Sequence, residues 1–301
     1  MAILSALVCT CNRPRDLAIT VRSLLASDIA ELELLVVDQS DVPISGESFD
    51  ELLADPRLRY IRSRTRGKGA ALNEGLRQAR GDVVICTDDD CEATPDWLAA
   101  MATVFEEVPS AALAFCNVVA PPYDKAAGYV PTYEKPRRVL RSVSDLCAGR
   151  GIGAGMAVRR RVALEIGGFD ESLGPGARFP AAEDLDFALR LLLRGWHVYD
   201  TGNRAIVHHG FRTHAQSRAH AKRDFIGLGA VCAKPLRAGY WNASVLSAWE
   251  FSANALWPPL ADLFRLKKPR GLSRIIGFVQ GFVEGMQTPV AREALVYAKE
   301  S

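Results

Sequence analysis

The sequence predicts an α/β fold, in which a mostly parallel central sheet is flanked by helices and followed by a helical C-terminal extension. Short apolar runs alternate with stretches of helical periodicity as far as about residue 211, and beyond it only helical patterns continue. The runs are almost continuously apolar, which is typical of parallel strands buried by helices on both faces. A chain of 301 residues is long enough to enclose such a core.

The predicted strands are short apolar runs, each followed by polar or turn-forming residues. The first run stops where Thr10, Asn12 and Pro14 begin a loop. Runs of this length and composition fit strands better than helices. The predicted strands cover residues 2–9, 33–37, 57–61, 82–86, 151–158 and 205–207.

Helical spacing of apolar residues separates these strands and fills the C-terminal part of the chain. Leu17, Val21 and Leu24, for example, are spaced to lie on one face of a helix. Residues 120–150 contain four prolines and instead predict a long irregular segment, which in a compact domain is usually a binding loop or a lid. The predicted helices cover residues 17–25, 70–80, 182–194, 214–232, 244–266 and 272–287.

The composition indicates a folded, soluble protein. Hydrophobic residues make up 49% of the chain and charged residues 24%, which excludes a disordered chain. The net charge of +2 is too small to indicate a nucleic-acid partner, although residues 201–301 hold 14 Lys and Arg against 6 Asp and Glu. Seven cysteines without zinc-site spacing indicate reduced thiols, and no signal peptide or membrane span is recognisable. We therefore expect a cytoplasmic location.

Acidic and polar residues collect at the carboxyl ends of the predicted strands, where ligands bind in sheets of this kind. Three consecutive aspartates at 88–90 repel one another, and a cation relieves that repulsion. Hard oxygen ligands indicate Mg²⁺ or Mn²⁺ rather than zinc. An acidic turn before the next helix is the simpler alternative, and it explains Asp96 better than it explains the triplet.

Other candidate groups carry weaker signals when each is considered alone. Asp38 ends a buried strand and is either a ligand contact or a loop cap. Lys68 lies in a glycine-containing basic turn before a helix. Such a turn either binds an anion or is simply exposed to solvent. Glu183 and Asp184 open a helix, where the helix dipole favours carboxylates whatever the function. His208 ends the last predicted strand, where it either ligates a metal or accepts hydrogen bonds.

Together these residues resemble glycosyltransferase family 2, a family of inverting enzymes with the GT-A fold that use nucleotide-sugar donors. The resemblance runs from about residue 3 to residue 211, and it depends on the order and spacing of the motifs rather than on any single one. The chain departs from the family pattern at Cys9, where the pattern has Pro or Ser, and at Cys11, where it has Tyr or Phe. Residues 178–182 also lack the glycine that is often found there. The matching segments are 8–14, 33–38, 66–82, 88–90, 95–98, 153–158, 167–171 and 183–195.

The resemblance implies a role for each candidate residue. Asp184 is implied to be the catalytic base, with Glu183 as the reserve. A carboxylate is needed there because an acceptor hydroxyl is a weak nucleophile until its proton is removed. The implied nucleotide-sugar contacts are Thr10, Asn12, Arg13, Asp38, Lys68, Asp88 and Asp89. The implied ligands of a divalent metal, Mg²⁺ or Mn²⁺, are Asp90, Asp88, His208 and His209. The implied acceptor contacts are Gly168, Phe169 and Asp170.

The resemblance also implies a domain division and partners. Residues 1–211 would form the catalytic domain, with a nucleotide-binding half of about residues 1–100 and an acceptor-binding half at 101–211. Residues 212–301 would form the helical extension. The implied donor is a UDP-sugar ahead of a GDP- or dTDP-sugar, and the implied acceptor is a glycan or a lipid-linked molecule.

Two other functions remain open at this point. A sugar-nucleotide pyrophosphorylase would carry a glycine-rich basic signature after the first strand, and residues 10–16 contain no glycine. A binding or scaffolding protein of the same fold would not need Asp88, Asp90 and Glu183-Asp184, all of which this chain retains. Enzymatic transfer is therefore the preferred interpretation.

The C-terminal extension mixes aromatic and basic residues, a combination suited to an anionic membrane surface. Peripheral attachment to the inner face of a membrane is one interpretation. The alternatives are that the aromatic residues pack as ordinary helix core, or that they form a homodimer interface. The residues concerned are Trp241, Trp249, Phe251, Trp257, Phe264, Arg265, Lys267, Lys268, Arg270 and Arg274.

Overall fold

A mixed β-sheet forms the centre of the computed structural model, which describes residues 3–45 and 47–298. Within those residues the sheet has nine strands, and eight of them follow the order β3-β2-β1-β4-β9-β6-β10-β5, with β8 pairing beside β10. The strands are β1 (Leu4–Thr10), β2 (Leu32–Asp38), β3 (Leu58–Arg62), β4 (Val83–Asp88), β5 (Cys91–Ala93), β6 (Ala111–Val119), β8 (Arg138–Leu140), β9 (Met156–Arg159) and β10 (His197–His208); β7 (Gly128–Tyr129) pairs with β11 (Arg212–Thr213), and β12 (Val290–Ala291) with β13 (Val296–Tyr297).

The helices pack on this sheet or extend from it. Their apolar faces bury the strands, so that β1 and β2 consist almost entirely of buried residues. The helices are α1 (Pro14–Leu25), α2 (Glu47–Leu53), α3 (Lys68–Gln78), α4 (Trp97–Glu107), α5 (Arg160–Glu165), α6 (Glu183–Leu193), α7 (His214–Arg237), α8 (Ser244–Trp249), α9 (Trp257–Phe264) and α10 (Leu272–Gln287).

The direction of the strands brings distant polar residues to one edge. β1 is parallel to β2 and β4, and β10 is parallel to β6. β9 is antiparallel to both β4 and β6, so β6 and β10 share the direction of β4. Thr10, Asp38, Asp88 and His208, which end β1, β2, β4 and β10, therefore lie at the same edge of the sheet.

Several predicted strand boundaries need correction. The predicted strand at 151–158 is only Met156–Arg159, because a 3₁₀ turn at Gly153–Gly155 precedes it. The predicted strand at 205–207 is the end of the longer β10, which also includes the buried Asp200, whose carboxylate accepts hydrogen bonds from Tyr133 and Arg138. The apolar segment of β6, which the predicted set omits, is also a strand. Ala2, the first residue of the first predicted strand, lies outside the described residues.

The regions predicted to lack strands also differ in part. Residues 120–150 contain β7, β8 and a 3₁₀ helix at Val143–Ala148, so the segment is more ordered than a plain loop. The predicted helix at 244–266 is divided into α8, a π-helical stretch at Glu250–Leu256 and α9. Beyond residue 211 the short strands β11, β12 and β13 also occur. β11 pairs with β7, whereas β12 and β13 pair with each other.

The C-terminal helices share a buried polar network with the sheet region. Lys234 of α7 lies 2.6 Å from both Asp170 and Asp186, and all three side chains are at most 1% exposed. The backbone N–H of Tyr297, on β13, donates to Asp170 at 2.8 Å. The predicted boundary at residues 211 and 212 therefore separates two parts that are joined through buried ion pairs.

Candidate active site

A cavity of about 550 Å³ opens at the carboxyl edge of the sheet. Its walls come from the ends of β1, β4 and β10, the starts of α3 and α6, and the first turns of α7. This volume is in the range of small-molecule sites. The lining includes Thr10, Arg13, Lys68, the three aspartates 88–90, Glu183, Asp184 and His208. The fold therefore brings most of the predicted site residues to one cavity.

The middle aspartate of the triplet holds the loop after β1. Asp89 accepts hydrogen bonds from Thr10 Oγ1 at 2.7 Å and from the Arg13 guanidinium at 3.1 Å. Its side chain is almost fully buried, and this burial raises the pKa of Asp89 to about 6 despite the two donors. The predicted donor-binding residues Thr10, Arg13 and Asp89 are thus parts of one hydrogen-bonded unit.

The last aspartate of the triplet faces His208. Oδ1 of Asp90 is buried, has no hydrogen-bond partner among the described residues, and lies 3.2 Å from Nε2 of His208. Burial acts to raise the pKa of Asp90, but contact with His208 and Arg13 outweighs it and lowers the pKa. Nδ1 of His208 lies 2.9 Å from the carbonyl oxygen of Pro131 and donates to it. Burial acts to lower the pKa of His208, but contact with Asp90 outweighs it and raises the pKa, and Nε2 would release its proton to bind a metal.

This pair has the donor atoms that a divalent cation needs. The ligand atoms of Asp90, Cys91 and His208 lie within 4.8 Å of one another. Burial raises the pKa of Cys91 well above its usual range, so this residue stays a neutral thiol and a poor ligand. An orphaned carboxylate oxygen beside an oriented imidazole nitrogen fits a divalent ion such as Mn²⁺. Asp90 and His208 are therefore the residues that fit a divalent cation.

Lys68 connects the aspartate triplet to the start of α6. Its ammonium nitrogen lies 2.5 Å from Asp88 and 3.2 Å from Glu183. Burial opposes the charge on this lysine, but the two carboxylates outweigh burial and raise the pKa of Lys68 well above its usual value. Burial likewise raises the pKa of Glu183, although Lys68 acts in the opposite direction. Glu183 is therefore occupied by an ion pair.

Asp184, by contrast, makes no ion pair among the described residues. Its Oδ2 accepts a 2.8 Å hydrogen bond from the backbone N–H of Gly153, and its Oδ1 accepts one of 2.7 Å from the N–H of Leu185. The side chain is half-buried and lines the cavity. The loop before it lacks glycine, and Ala182 adopts the left-handed conformation there, with φ of 70°. The turn thus forms without the glycine of the family pattern.

Some predicted residues do not line the cavity. Asp38 is fully buried, and Ser40, Tyr60 and Arg62 satisfy its carboxylate. Burial acts to raise the pKa of Asp38, but these hydrogen bonds outweigh it and lower the pKa. Its neighbour Gln39 lines the cavity instead.

Asn12 and His209 also lie outside the cavity lining. Asn12 exchanges hydrogen bonds with Asp41 on the exposed loop after β1. His209 points away from the cavity, with Nε2 at 3.3 Å from Glu92. This placement removes His209 from the metal ligands, because Asp90 meets His208 instead.

The predicted acceptor segment is buried behind the site. Phe169 stacks on Phe187 with ring centroids 4.3 Å apart, and Asp170 pairs with Lys234. A side chain at Gly168 would collide with Asn73. Gly168, Phe169 and Asp170 therefore do not line the cavity, and their role in this structure is to pack α3, α6 and α7 together.

The cavity also has walls that the sequence analysis did not identify. Gln216, His220 and Asp224 from α7 line it, so the helical extension contributes to the site. The concentration of histidines after residue 207 is the one sequence signal that pointed to this region. Burial raises the pKa of Asp224, although neighbouring cations act against this shift. Further lining residues that carry no motif are Ile152, Gly153, Phe211 and Arg212.

Comparison with known proteins identifies a family match and similar sequences. The family model described as "Glycosyl transferase family 2" matches residues 5–167. The glucosyl-dolichyl phosphate glucuronosyltransferase of Haloferax volcanii is 28% identical over 67% of this chain, and the beta-monoglucosyldiacylglycerol synthase of a Synechocystis species is 26% identical over 60%. This chain spans 65% and 38% of the lengths of those two proteins.

Solved structures share the fold. TarS 1–349 of S. aureus has a TM-score of 0.64 and 16% identity, and the match covers 98% of this chain and 83% of that one. The mannosyltransferase PcManGT of Pyrobaculum calidifontis, solved with GDP-Man and Mn²⁺, has a TM-score of 0.63 and 20% identity over 95% and 87% of the two chains. A complex of TarS 1–349 with UDP-GlcNAc matches equally well, with a TM-score of 0.64. The predicted GT-A fold class is confirmed.

Proposed function

The chain belongs to glycosyltransferase family 2, and from that premise we propose that it transfers a sugar from a nucleotide-sugar donor to an acceptor hydroxyl with inversion at the anomeric carbon. The observation that carries the proposal is the position of Asp184 in the same cavity as the aspartate triplet and His208. This carboxylate has no ion-pair partner in the part of the chain that the structure describes, and it accepts a backbone hydrogen bond from Gly153. A base and a site for an anionic leaving group thereby face one space.

Asp184 is the proposed catalytic base. An inverting transfer needs a carboxylate that removes the acceptor proton while the acceptor oxygen attacks the anomeric carbon on the side opposite the leaving group. Each oxygen of Asp184 accepts one backbone hydrogen bond, which leaves lone pairs free for the acceptor hydroxyl. Glu183 is less suited to this step because Lys68 neutralises it.

The donor diphosphate is proposed to lie beside the triplet. Arg13 and Lys68 place two cationic groups in the cavity wall, where they attract a diphosphate. A divalent cation held by Asp90 and His208, Mg²⁺ or Mn²⁺, would supply Lewis-acid stabilisation of the charge that develops on the departing diphosphate. The Mn²⁺ and GDP-Man in the PcManGT structure support such a site.

The proposed donors are UDP-sugars first, with GDP- and dTDP-sugars as the other classes. The UDP-GlcNAc and GDP-Man complexes of similar structures support a nucleotide-sugar in general. For the acceptor we propose a glycan or a lipid-linked molecule in polysaccharide or glycolipid synthesis, handled in the cytoplasm. The names of the Haloferax and Synechocystis proteins, which refer to a dolichyl phosphate and a diacylglycerol, support the lipid-linked class.

A donor screen tests the proposal. The purified chain is mixed with UDP-, GDP- and dTDP-sugars in Mn²⁺ and in EDTA, and both the melting temperature and the release of nucleoside diphosphate are measured. We expect one nucleotide class to raise the melting temperature in Mn²⁺, since binding to the native state stabilises it. We also expect slow, metal-dependent hydrolysis of the same donor. Stabilisation without any release in wild type, with or without candidate acceptors, would identify a binding protein instead.

A further inference from the structure

The outer face of α10 is apolar although it faces solvent. Leu272, Ile276, Val279 and Val283 are spaced as one stripe along the helix and are 47–58% exposed. Of the exposed residues in this helix, only Gln287 is polar, and none is charged. Contiguous apolar surface of this kind is rare on soluble monomers and marks an interaction site.

The stripe is not the packing face of the helix. α10 packs on α7 through its opposite face, where a Cβ on Gly277 or Gly281 would collide with the α7 backbone at Lys222 or Ile226. Phe278 on that face is buried and contacts Phe251. The helix therefore packs on the rest of the protein through one face, and the aliphatic stripe on its other face is available to a further partner.

The segment 263–270, which we call the tip, joins α9 to this helix and extends the apolar surface. Leu263, Phe264 and Leu266 are 53%, 78% and 98% exposed. Leu266 has a φ of 53°, a left-handed conformation that leucine rarely adopts, and yet its side chain projects into solvent. Trp257 is also exposed and lies 6.4 Å from Phe264 between ring centroids.

Contacts to Asp262 help to close the tip. Asp262 accepts hydrogen bonds at 3.0 to 3.1 Å from the backbone and guanidinium of Arg270, and its carbonyl oxygen accepts one of 2.8 Å from the N–H of Lys267. These contacts close the loop, so the exposed apolar side chains are held outward by a defined turn. Asp262 is nearly buried and is therefore committed to the loop.

The charge around the apolar surface has one sign. Residues 257–283 contain five Lys and Arg against one carboxylate, that of Asp262. Arg265, Lys267 and Lys268 alternate with the apolar side chains of the tip and are exposed. An apolar surface edged with cations matches an anionic bilayer, in which acyl chains receive the apolar groups and headgroups receive the charges.

We propose that the tip and the outer face of α10 dock this protein on the surface of an anionic lipid bilayer. None of the helices within residues 3–45 and 47–298 is long and apolar enough to cross a bilayer, so the contact lies in the interface. A second copy of the chain is a poorer occupant, because a two-fold interface at this surface would bring the two cationic tips together. The proposal goes beyond the transfer reaction and does not depend on it.

Vesicle flotation tests the proposal without any turnover. The full chain is mixed with vesicles of phosphatidylcholine alone or with 30% phosphatidylglycerol, a probe composition of about one anionic lipid in three. We expect flotation with the anionic vesicles, a large decrease in high salt, and little binding to the neutral ones. Absence of binding to anionic vesicles would overturn the proposal. Concentration-dependent dimerisation, measured by light scattering, would also overturn it if the dimer covers the tip and the outer face of α10.

Matched variants locate the contact. F264S/L266N removes two exposed apolar groups, and asparagine tolerates the left-handed conformation at 266; K267E/K268E reverses two exposed charges. We expect each pair to weaken vesicle binding by more than about tenfold. The controls V42S and R22E/R161E change exposed groups elsewhere and should leave binding unchanged. Equal binding by all four variants, each with a wild-type melting temperature, would overturn the assignment of the surface.

Discussion

The backbone N–H of Gly153 donates a 2.8 Å hydrogen bond to Oδ2 of Asp184. A Cβ at position 153 would lie 3.0 Å from Nζ of Lys68, so the absence of a side chain lets this loop approach the lysine and the aspartate together. The same lysine pairs with Asp88 and Glu183, and no ion pair to Asp184 occurs within residues 3–45 and 47–298. Both neighbouring carboxylates line the cavity, but Lys68 neutralises Glu183, whereas Asp184 is held by backbone hydrogen bonds.

We expect Asp184→Asn to abolish transfer while donor binding is retained. The amide keeps the size of the side chain and an oxygen for the Gly153 N–H, but it no longer accepts a proton. Loss of a general base lowers the turnover rate by about 10²- to 10⁴-fold. Turnover and donor-induced thermal shift are measured side by side, with Asp28→Asn, an exposed carboxylate, as the control. Wild-type turnover in Asp184→Asn would remove the proposed role.

Metal binding is expected to depend on His208 and not on His209. Asp90→Ala and His208→Ala each remove a donor atom of the proposed site, and we expect Mn²⁺ affinity to fall by more than about tenfold, since even groups that only orient a ligand contribute that much. His209→Ala is the matched control, because that ring contacts Glu92. The measurement is calorimetric titration with Mn²⁺. A larger loss in His209→Ala than in His208→Ala would contradict the geometry.

Lys234→Met is expected to destabilise the fold strongly. It leaves the carboxylates of Asp170 and Asp186 buried without their shared cation, at a cost of about 3–5 kcal/mol. Burial opposes ionisation of Asp170, but Lys234 outweighs burial and lowers the pKa of Asp170. The stability that this carboxylate contributes is therefore present above its ordinary pKa and is lost as the pH falls through the lowered value.

Urea unfolding at pH 7 and at low pH measures this effect. The difference between wild type and Lys234→Met should shrink as the solution is acidified, because a protonated Asp170 no longer needs the cation. Lys222→Met, an exposed lysine of the same helix, serves as the control and should change little. A difference that stays constant with pH would exclude the ion pair as its source.

Asp89 should give the opposite dependence on pH. Burial raises the pKa of Asp89 to about 6 in the folded chain, so the native state binds this proton more tightly than the unfolded state does. The associated stability is complete below about pH 3.8 and is lost as the pH rises through about 6. Relative to Asp89→Asn, wild type should lose about 2 kcal/mol between pH 4 and pH 7. Unfolding in EDTA measures it, and parallel pH profiles for the two proteins would contradict the expectation.

The sequence by itself determined β1 to β4, β9 and β10, the helices α1, α3 and α6, and the edge at which the acidic residues gather, whereas β6 and α4 were not predicted. The predicted elements and the edge follow from local patterns: apolar runs predict buried parallel strands, and the residues that end those runs must lie at their carboxyl ends. Thr10, the triplet at 88–90 and His208 were found in this way, whereas Glu183 and Asp184 open a predicted helix and were selected through the family resemblance.

Only the tertiary structure decided between neighbours of the same type. His208 and His209 are adjacent, but among the described residues it is the imidazole of His208 that meets the Asp90 carboxylate. Glu183 and Asp184 are adjacent, but it is the Glu183 carboxylate that pairs with Lys68. Asp170 matched the acceptor motif of the family, but Lys234, 64 residues away, donates to its carboxylate within the buried core. Which carboxylate is neutralised depends on cations that the fold brings from distant parts of the chain, because electrostatic attraction acts through space and not along the sequence.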